Sequence, residues 1–328
     1  MRDADVNPVW SIILAGGEGE RTRPFIERWL GRSKPKQYCT FVGHRSMLQH
    51  TLDRADRLGA PRQKVTVVSQ HHQEFFAEAM SHYQKGQVLV QPVNCDTGAG
   101  VFFPLTYVRQ WNPNATVVLF PSDHFIFPED RFVETVQRAI RASEIFRDRL
   151  FLLGVPPTHL ELDYGWIKVG GVLGWSGGSC IYHVDSFLEK PGSSESLQAL
   201  ANGALWNTLV LVAKVETLWQ LGVQYLPMVL DRFSLLSRAI GTNREGSVLR
   251  QIYQQMPAAN FSSELLQHAS SHIGVLELEE VLWSDWGRPD RIQKTLESLG
   301  KEPAFPSSVV EPPTSSAWPQ SSHNLEVA

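Results

Sequence analysis

The stretch from Ser11 to Gln37, SIILAGGEGERTRPFIERWLGRSKPKQ, constrains the fold of this chain more than any other. Ser11-Ile12-Ile13-Leu14 reads as a buried strand. It runs directly into Ala15-Gly16-Gly17-Glu18-Gly19. Three glycines in four positions permit a sharp turn and a close backbone approach to a ligand, because no Cβ intervenes. From Arg21 to Lys36 there are six basic residues (Arg21, Arg23, Arg28, Arg32, Lys34, Lys36) and one acid, Glu27, a local charge of +5 in a chain of net charge −4. On the loop alone two readings stand open. One is a glycine turn between a strand and a helix, with solvated charges beyond it. The other is a cradle for a polyanion such as a triphosphate. Neither common nucleotide fingerprint fits. The P-loop pattern asks for Lys and then Ser or Thr where Glu20-Arg21 stand, and the dinucleotide pattern asks for a third Gly where Thr22 stands.

The remaining composition narrows the class. A chain of 328 residues with 42% hydrophobic content can bury a large core in one or two domains. With 20% charged residues and a mildly acidic balance, no general nucleic-acid surface is expected. The cysteines, Cys39, Cys95 and Cys180, are odd in number, far apart and free of any Cys-x-x-Cys pairing. That pattern argues against a disulfide framework or a zinc site and for a reducing compartment. The first apolar run is too short for a signal peptide or a membrane span. A soluble cytoplasmic protein is therefore expected, with neither nucleic acid nor membrane as a partner.

Along the chain, strand and helix signals alternate at first. Helices are expected over Met47–Leu58 and His72–Tyr83, and strands over Val65–Val68 and Val88–Val90. Asp96 or Thr97 is placed to cap a helix running on to Arg109, or to touch a ligand. Val117–Phe120 is an uninterrupted apolar strand, of the kind found inside parallel sheets. Asp123 follows it, where open α/β sheets place ligands, although it could equally cap the next segment. A long helix fits Pro128–Glu144. Strands then follow with little helix between them, Leu150–Val155, Ser179–Leu188 and Leu205–Lys214, which suggests antiparallel additions. Val215–Met256 reads as helical, Phe261–His268 as a short helix, Ile273–Leu278 as a strand and Arg288–Leu299 as a closing helix. The expected fold is α/β, a three-layer αβα Rossmann-like mixed sheet, mostly parallel in its N-terminal half. One domain is expected over residues 1–300, and residues 301–328, rich in Pro and Ser, are expected to be a disordered tail.

Leu-Ala-Gly-Gly-x-Gly-x-Arg followed by Pro-Lys-Gln resembles the sugar-1-phosphate nucleotidylyltransferases, and Lys34-Pro35-Lys36-Gln37 resembles their mannose-1-phosphate guanylyltransferase branch. Five further stretches are similar to that family in the same order: Thr97 with its small neighbours, Pro121-Ser122-Asp123-His124, Glu189-Lys190-Pro191, Trp206-Asn207-Thr208 and Trp283-Ser284-Asp285. Tyr164-Gly165 also resembles its sugar-side turn. The resemblance runs from about Trp10 to Ile292. Two departures stand out: Glu20 replaces a usual Thr, and thirteen residues separate Arg21 from Pro35, a longer spacer than is typical.

The resemblance implies the following roles. Leu14, Ala15, Gly16, Gly17, Gly19 and Thr97 would bind the nucleotide together with Arg21 and Lys36. Arg21, Lys36 and Asp123 would be catalytic. Asp123 and Asp285 would hold Mg²⁺, and Gly165, Glu189, Lys190 and Asn207 would face the sugar. The implied partners are a nucleoside triphosphate, GTP favoured, and a sugar-1-phosphate, with room for a homodimer. The implied reaction joins the two and releases pyrophosphate. The alternatives are the same chemistry with dTTP or ATP and glucose-1-phosphate, or a catalytically silent nucleotide-sugar-binding regulator. Glu20 is expected to point outward and pair with Arg23 or Lys34.

Overall fold

The computed structural model describes residues 8–81, 83 and 86–310. Its strands are β1 (Val9–Ala15), β2 (Lys64–Ser69), β3 (Gln87–Gln91), β4 (Thr116–Pro121), β5 (Phe125–Phe127), β6 (Leu150–Val155), β7 (Trp166–Ser176), β8 (Ser179–Leu188), β9 (Leu205–Lys214), β10 (Ile273–Glu277) and β11 (Leu282–Ser284). Nine form one sheet in the order β3-β2-β1-β4-β9-β6-β10-β8-β7, while β5 and β11 form a separate two-stranded ribbon. β1, β2, β3 and β4 are mutually parallel. β9 then enters antiparallel between β4 and β6, and β7 and β8 extend the sheet antiparallel beyond β10. The expected α/β mixed sheet, parallel first and antiparallel later, is what forms.

Strand alternation divides the core into two faces. Ile12, Val67, Val117 and Leu152 point to one apolar cluster, shared with helices Asp96–Trp111, Val215–Tyr225 and Pro227–Ser237. Their neighbours Ile13, Val68, Val118 and Leu153 point to the other, covered by helices Met47–Asp56 and Glu129–Ile145. The unbroken apolar runs of β4 and β6 are thus the signature of strands buried on both sides.

Three expectations need correction. The helical stretch 215–256 is three helices, because Leu226-Pro227 ends one and Gly241, at φ +76°, ends the next connection before Glu245–Tyr253 begins. A helix, Ser193–Ala201, lies between β8 and β9, where little helix was expected. The expected short helix over Phe261–His268 does form, with a π-helical turn over Ser262–Leu266. The segment 301–328 was expected to be disordered, yet residues 301–310 pack on the domain. Phe305 is buried against Phe25, Trp29 and Phe41, and Ala304 N–H donates to the Phe41 carbonyl at 2.8 Å. Pro and Ser content hid one aromatic anchor. Residues 311–328 lie outside the described residues. No helix among the described residues is long and apolar enough to cross a membrane.

Phe305→Ala should lower stability by about 3–5 kcal/mol, the usual cost of emptying a buried aromatic site. A thermal melt within a degree of the unsubstituted chain would show that the segment does not contribute.

Candidate functional site

β1 and β4 are adjacent and parallel, with Leu14 opposite Pro121, so the glycine loop and Asp123 leave the sheet side by side. Ser122 ties the two exits together, its Oγ donating to the Leu14 carbonyl at 2.7 Å. The loop is held by two side chains of the segment that follows it. Gln37 Nε2 donates to the carbonyls of Ala15 and Gly17, each at 2.9 Å, and the Tyr38 hydroxyl donates to the Ala15 carbonyl at 3.2 Å. In a planar trans peptide the N–H lies opposite the carbonyl. Fixing those two carbonyls therefore aims the N–H groups of Gly16 and Glu18 away from Gln37. Gly19 adopts φ +62°, and a Cβ there would sit 3.3 Å from Lys36 Cβ, so glycine is required at this turn.

Two adjoining clefts open along the loop. One, of about 420 Å³, is lined by Leu14, Gly16, Gly17, Thr97 and Asp123. The other, of about 530 Å³, is lined by Gly19, Glu20, Arg21, Lys36, Asp123 and Lys190. Ala15 is buried beneath the loop and supports it through its carbonyl. Lys190, expected on the sugar side, lies along the cationic cleft and pairs with Glu189 at 3.5 Å.

Lys36 is buried, its Nζ 2.8 Å from Asp123 Oδ2 and hydrogen-bonded to the Asp285 backbone carbonyl. Asp285, also buried, is surrounded by donors. Its Oδ1 accepts from the Tyr164 hydroxyl, from Arg291 Nη1 and from the Gly287 N–H, all at 2.9 Å. Its Oδ2 accepts from Arg21 Nη2 at 2.9 Å. Burial alone would raise the pKa of Asp285, but Lys36, Arg291 and the Gly287 N–H outweigh it and hold the carboxyl well below the usual range. Burial likewise opposes ionisation of Asp123, and Lys36, then His124, reverse it to a net lowering. His124 is pushed down chiefly by burial, which suits a neutral ring whose Nδ1 accepts from Trp283 Nε1–H at 3.3 Å.

The residues expected on the sugar side also converge. Gly165 precedes β7, Glu189 follows β8 and Asn207 opens β9. Asn207 N–H donates to the Gly165 carbonyl at 2.8 Å, and a Cβ on Gly165 would lie 3.1 Å from Glu189 Oε2. Burial raises the Glu189 pKa, against the pull of Lys190. The pairings β4–β9, β6–β9 and β7–β9 bring this end of β9 to the edge where β4 ends.

Two local expectations fail. Cys95, with no side-chain bond, is the cap residue of helix Asp96–Trp111. Asp96 sits at φ +65°, and the Thr97 hydroxyl accepts from Phe261 N–H at 2.9 Å, tying the helix start to the later segment. Glu20 is exposed at the cleft mouth, but Arg23 pairs with Glu18 at 3.8 Å and Lys34 with Glu78 at 3.2 Å. Among the described residues Glu20 has no ion-pair partner. Sequence reasoning also missed the roles of Gln37, Tyr38, Tyr164, Asp163, Glu161 and Arg291. The first three adjoin or belong to quoted motifs. Arg291 carries no local signal beyond its place six residues after Asp285.

Residues 10–301 match the family model described as nucleotidyl transferase. The chain belongs to the nucleotidyl transferase family. Mannose-1-phosphate guanylyltransferase of Salmonella montevideo is 31% identical over 210 residues, 62% of this chain and 43% of that protein. Its Escherichia coli counterpart is 28% identical over 216 residues, 64% of this chain and 45% of that protein. The chain spans about half the length of the curated relatives it matches. Among solved structures, mannose-1-phosphate geranyltransferase from Thermus thermophilus matches with a TM-score of 0.73 at 22% identity, over 87% of this chain and 79% of that one. At that identity the likeness establishes the fold alone.

For a nucleotidyl transferase, the donor chemistry fits a magnesium ion. Mg²⁺ takes one or two carboxylates and fills its shell with phosphate oxygens and water. Among the described residues, Asp123 Oδ1 has only the His124 ring near it, at 3.7 Å, and Asp285 Oδ2 has only Arg21. No group of three or more His, Cys, Asp or Glu among the described residues is placed to hold a metal ion, so phosphate and water would complete the shell of any ion here.

Two outcomes follow from this geometry. Glu20→Thr should change triphosphate affinity by less than about threefold, because an exposed charge is screened by solvent and salt; a tenfold gain in a binding titration would contradict this. Asp285→Asn should be less stable than the parent at neutral pH. Because the folded pKa of Asp285 is depressed, its stabilisation is present above the ordinary carboxyl pKa of about 4 and is lost as pH falls through the folded value. Denaturation curves of the two proteins should therefore converge only in strong acid.

Proposed function

We propose that this nucleotidyl transferase moves a nucleotidyl group from a nucleoside triphosphate to a sugar-1-phosphate and releases pyrophosphate, with GTP and mannose-1-phosphate as the favoured pair. One observation carries the reading: Lys36 joins the Asp123 carboxylate to the Asp285 backbone carbonyl beside a glycine loop that lines the same two clefts. The mannose-1-phosphate guanylyltransferases among its relatives support the choice of base and sugar.

In the proposed reaction a phosphate oxygen of the sugar-1-phosphate attacks the α-phosphorus of the triphosphate. The bond from that phosphorus to the bridging oxygen breaks, and pyrophosphate leaves. Such transfers depend on positioning and charge neutralisation more than on a protein nucleophile. The loop N–H groups would bind the phosphates, and Arg21 and Lys36 would neutralise the charge that builds on the leaving group. Gly165, Glu189 and Asn207 would orient the sugar so that its phosphate lies in line. Mg²⁺ held by Asp123 and Asp285 would withdraw charge from the phosphate oxygens.

The purified chain should release pyrophosphate only with Mg²⁺, fastest with GTP and mannose-1-phosphate across a panel of four triphosphates and several sugar-1-phosphates. Asp123→Asn should cut turnover by roughly 10² or more while the far-ultraviolet spectrum is unchanged. A faster rate with dTTP or ATP and glucose-1-phosphate would reassign the substrates. No release with any pair would make the chain a silent binding homologue.

A further inference from the structure

The carboxylate of Asp285 is held by two guanidinium groups of very different character. Arg291 has a side chain only 9% exposed, and both of its terminal nitrogens are hydrogen-bonded. It donates to Asp285 Oδ1 at 2.9 Å, to Glu161 Oε2 at 2.5 Å and to Asp163 Oδ2 at 3.0 Å, and it stacks over the Tyr164 ring at 4.9 Å. Arg21 has a side chain 52% exposed. It holds Asp285 Oδ2 at 2.9 Å and Asp163 Oδ2 at 3.4 Å. Oδ1 is saturated by three donors, whereas Oδ2 has, among the described residues, Arg21 alone. The cation expected on the triphosphate thus covers the oxygen expected on the metal.

We propose that Arg291 is a positioning residue that holds Asp285 permanently, and that Arg21 is a transferable partner. On triphosphate binding, Arg21 leaves Asp285 for the phosphates and uncovers Oδ2 for the metal. This rests on the reading of the cleft as a triphosphate site.

The charges allow the exchange. After Arg21 departs, Asp285 still faces Arg291, and the Lys36 ammonium remains on its backbone carbonyl. Asp163 still faces Arg291. Neither carboxylate is left without a cation, so the cost of the move is small, and an exposed guanidinium loses little when its pair breaks. The space in front of Oδ2 exists because residue 287 is glycine. A Cβ there would collide with Asp285 Oδ2 and lie 2.6 Å from Arg21 Nη2. That gap is filled by the Arg21 guanidinium, which a metal on Oδ2 would have to replace. The ligand-free chain therefore holds a divalent ion weakly, and nucleotide and metal each strengthen the other, by the reciprocity that any linked pair obeys.

Mn²⁺, followed by its electron paramagnetic resonance signal without any nucleotide, tests this directly. Arg21→Met should bind Mn²⁺ about tenfold more tightly than the parent chain, since a charge-assisted hydrogen bond no longer competes for Oδ2. Arg21→Lys keeps the cation and should stay within threefold of the parent. Lys190→Met removes a positive charge from the same cleft without touching Asp285, and it too should stay within threefold. A gain below threefold in Arg21→Met, or an equal gain in Lys190→Met, would overturn the exchange. Adding Arg291→Lys to Arg21→Met should erase the gain; if that double variant does not fold, Tyr164→Phe in the same background should reduce it. Gain retained in the folded variant would remove Arg291 from its positioning role. These readings need no substrate turnover, so an absence of pyrophosphate release would count against the proposed reaction and leave the metal result to stand alone.

Discussion

A buried ammonium group, Lys36 Nζ, is the point on which three distant parts of the chain meet. It follows the glycine loop of β1, pairs with the carboxylate that ends β4 and binds the backbone carbonyl that follows β11. Burying a charge is costly unless it is paired and hydrogen-bonded. The same contacts also set the spacing of Asp123 and Asp285. The ribbon of β5 and β11 makes this spacing rigid, since Ser284 lies opposite Phe125 and each acid sits just outside its strand. Removing either partner would leave a charge stranded in the core of the site.

Much of this was legible because the family-like stretches fall where strands end. A strand that is apolar on both faces announces itself, and the polar residue that follows it must lie at the sheet edge. Asp123 after β4 was readable on that ground together with the resemblance, whereas Asn207, inside β9, was singled out by the resemblance alone. β7 was not readable as a strand. Gly170, Gly171 and Gly174 interrupt its alternation, and its pairing with β8 shifts register three times. The helix Ser193–Ala201 was hidden by its serines, which favour caps and turns over helix interiors.

The supporting shell of the site was the least visible part. Gln37, Arg291, Glu161 and Asp163 act through partners far away in sequence, and their local strings have no periodicity to betray them. Arg291 looks like one more surface cation on an amphipathic helix, Pro289–Ser298, until the fold turns it inward. Phe305 was missed for a related reason: a single aromatic among prolines and serines gives no pattern, yet it finds an aromatic cage already built by Phe25, Trp29 and Phe41.

That cage has a consequence for how the chain acquires its structure. Helix Arg23–Leu30 directly follows the glycine loop, but its inner face is completed by Trp286, Ile292, Leu296 and Phe305. Arg21 and Asp285 are likewise 264 positions apart. Closing loops of this length is entropically expensive and is rewarded only once both ends exist. Because synthesis runs from the N-terminal side, the glycine loop is made well before its distant partners and is thus among the last parts of this fold to be finished. A growing chain can hold β1 to β4 before it holds the completed cleft, so any ligand of that cleft meets its full site only after the late segments arrive.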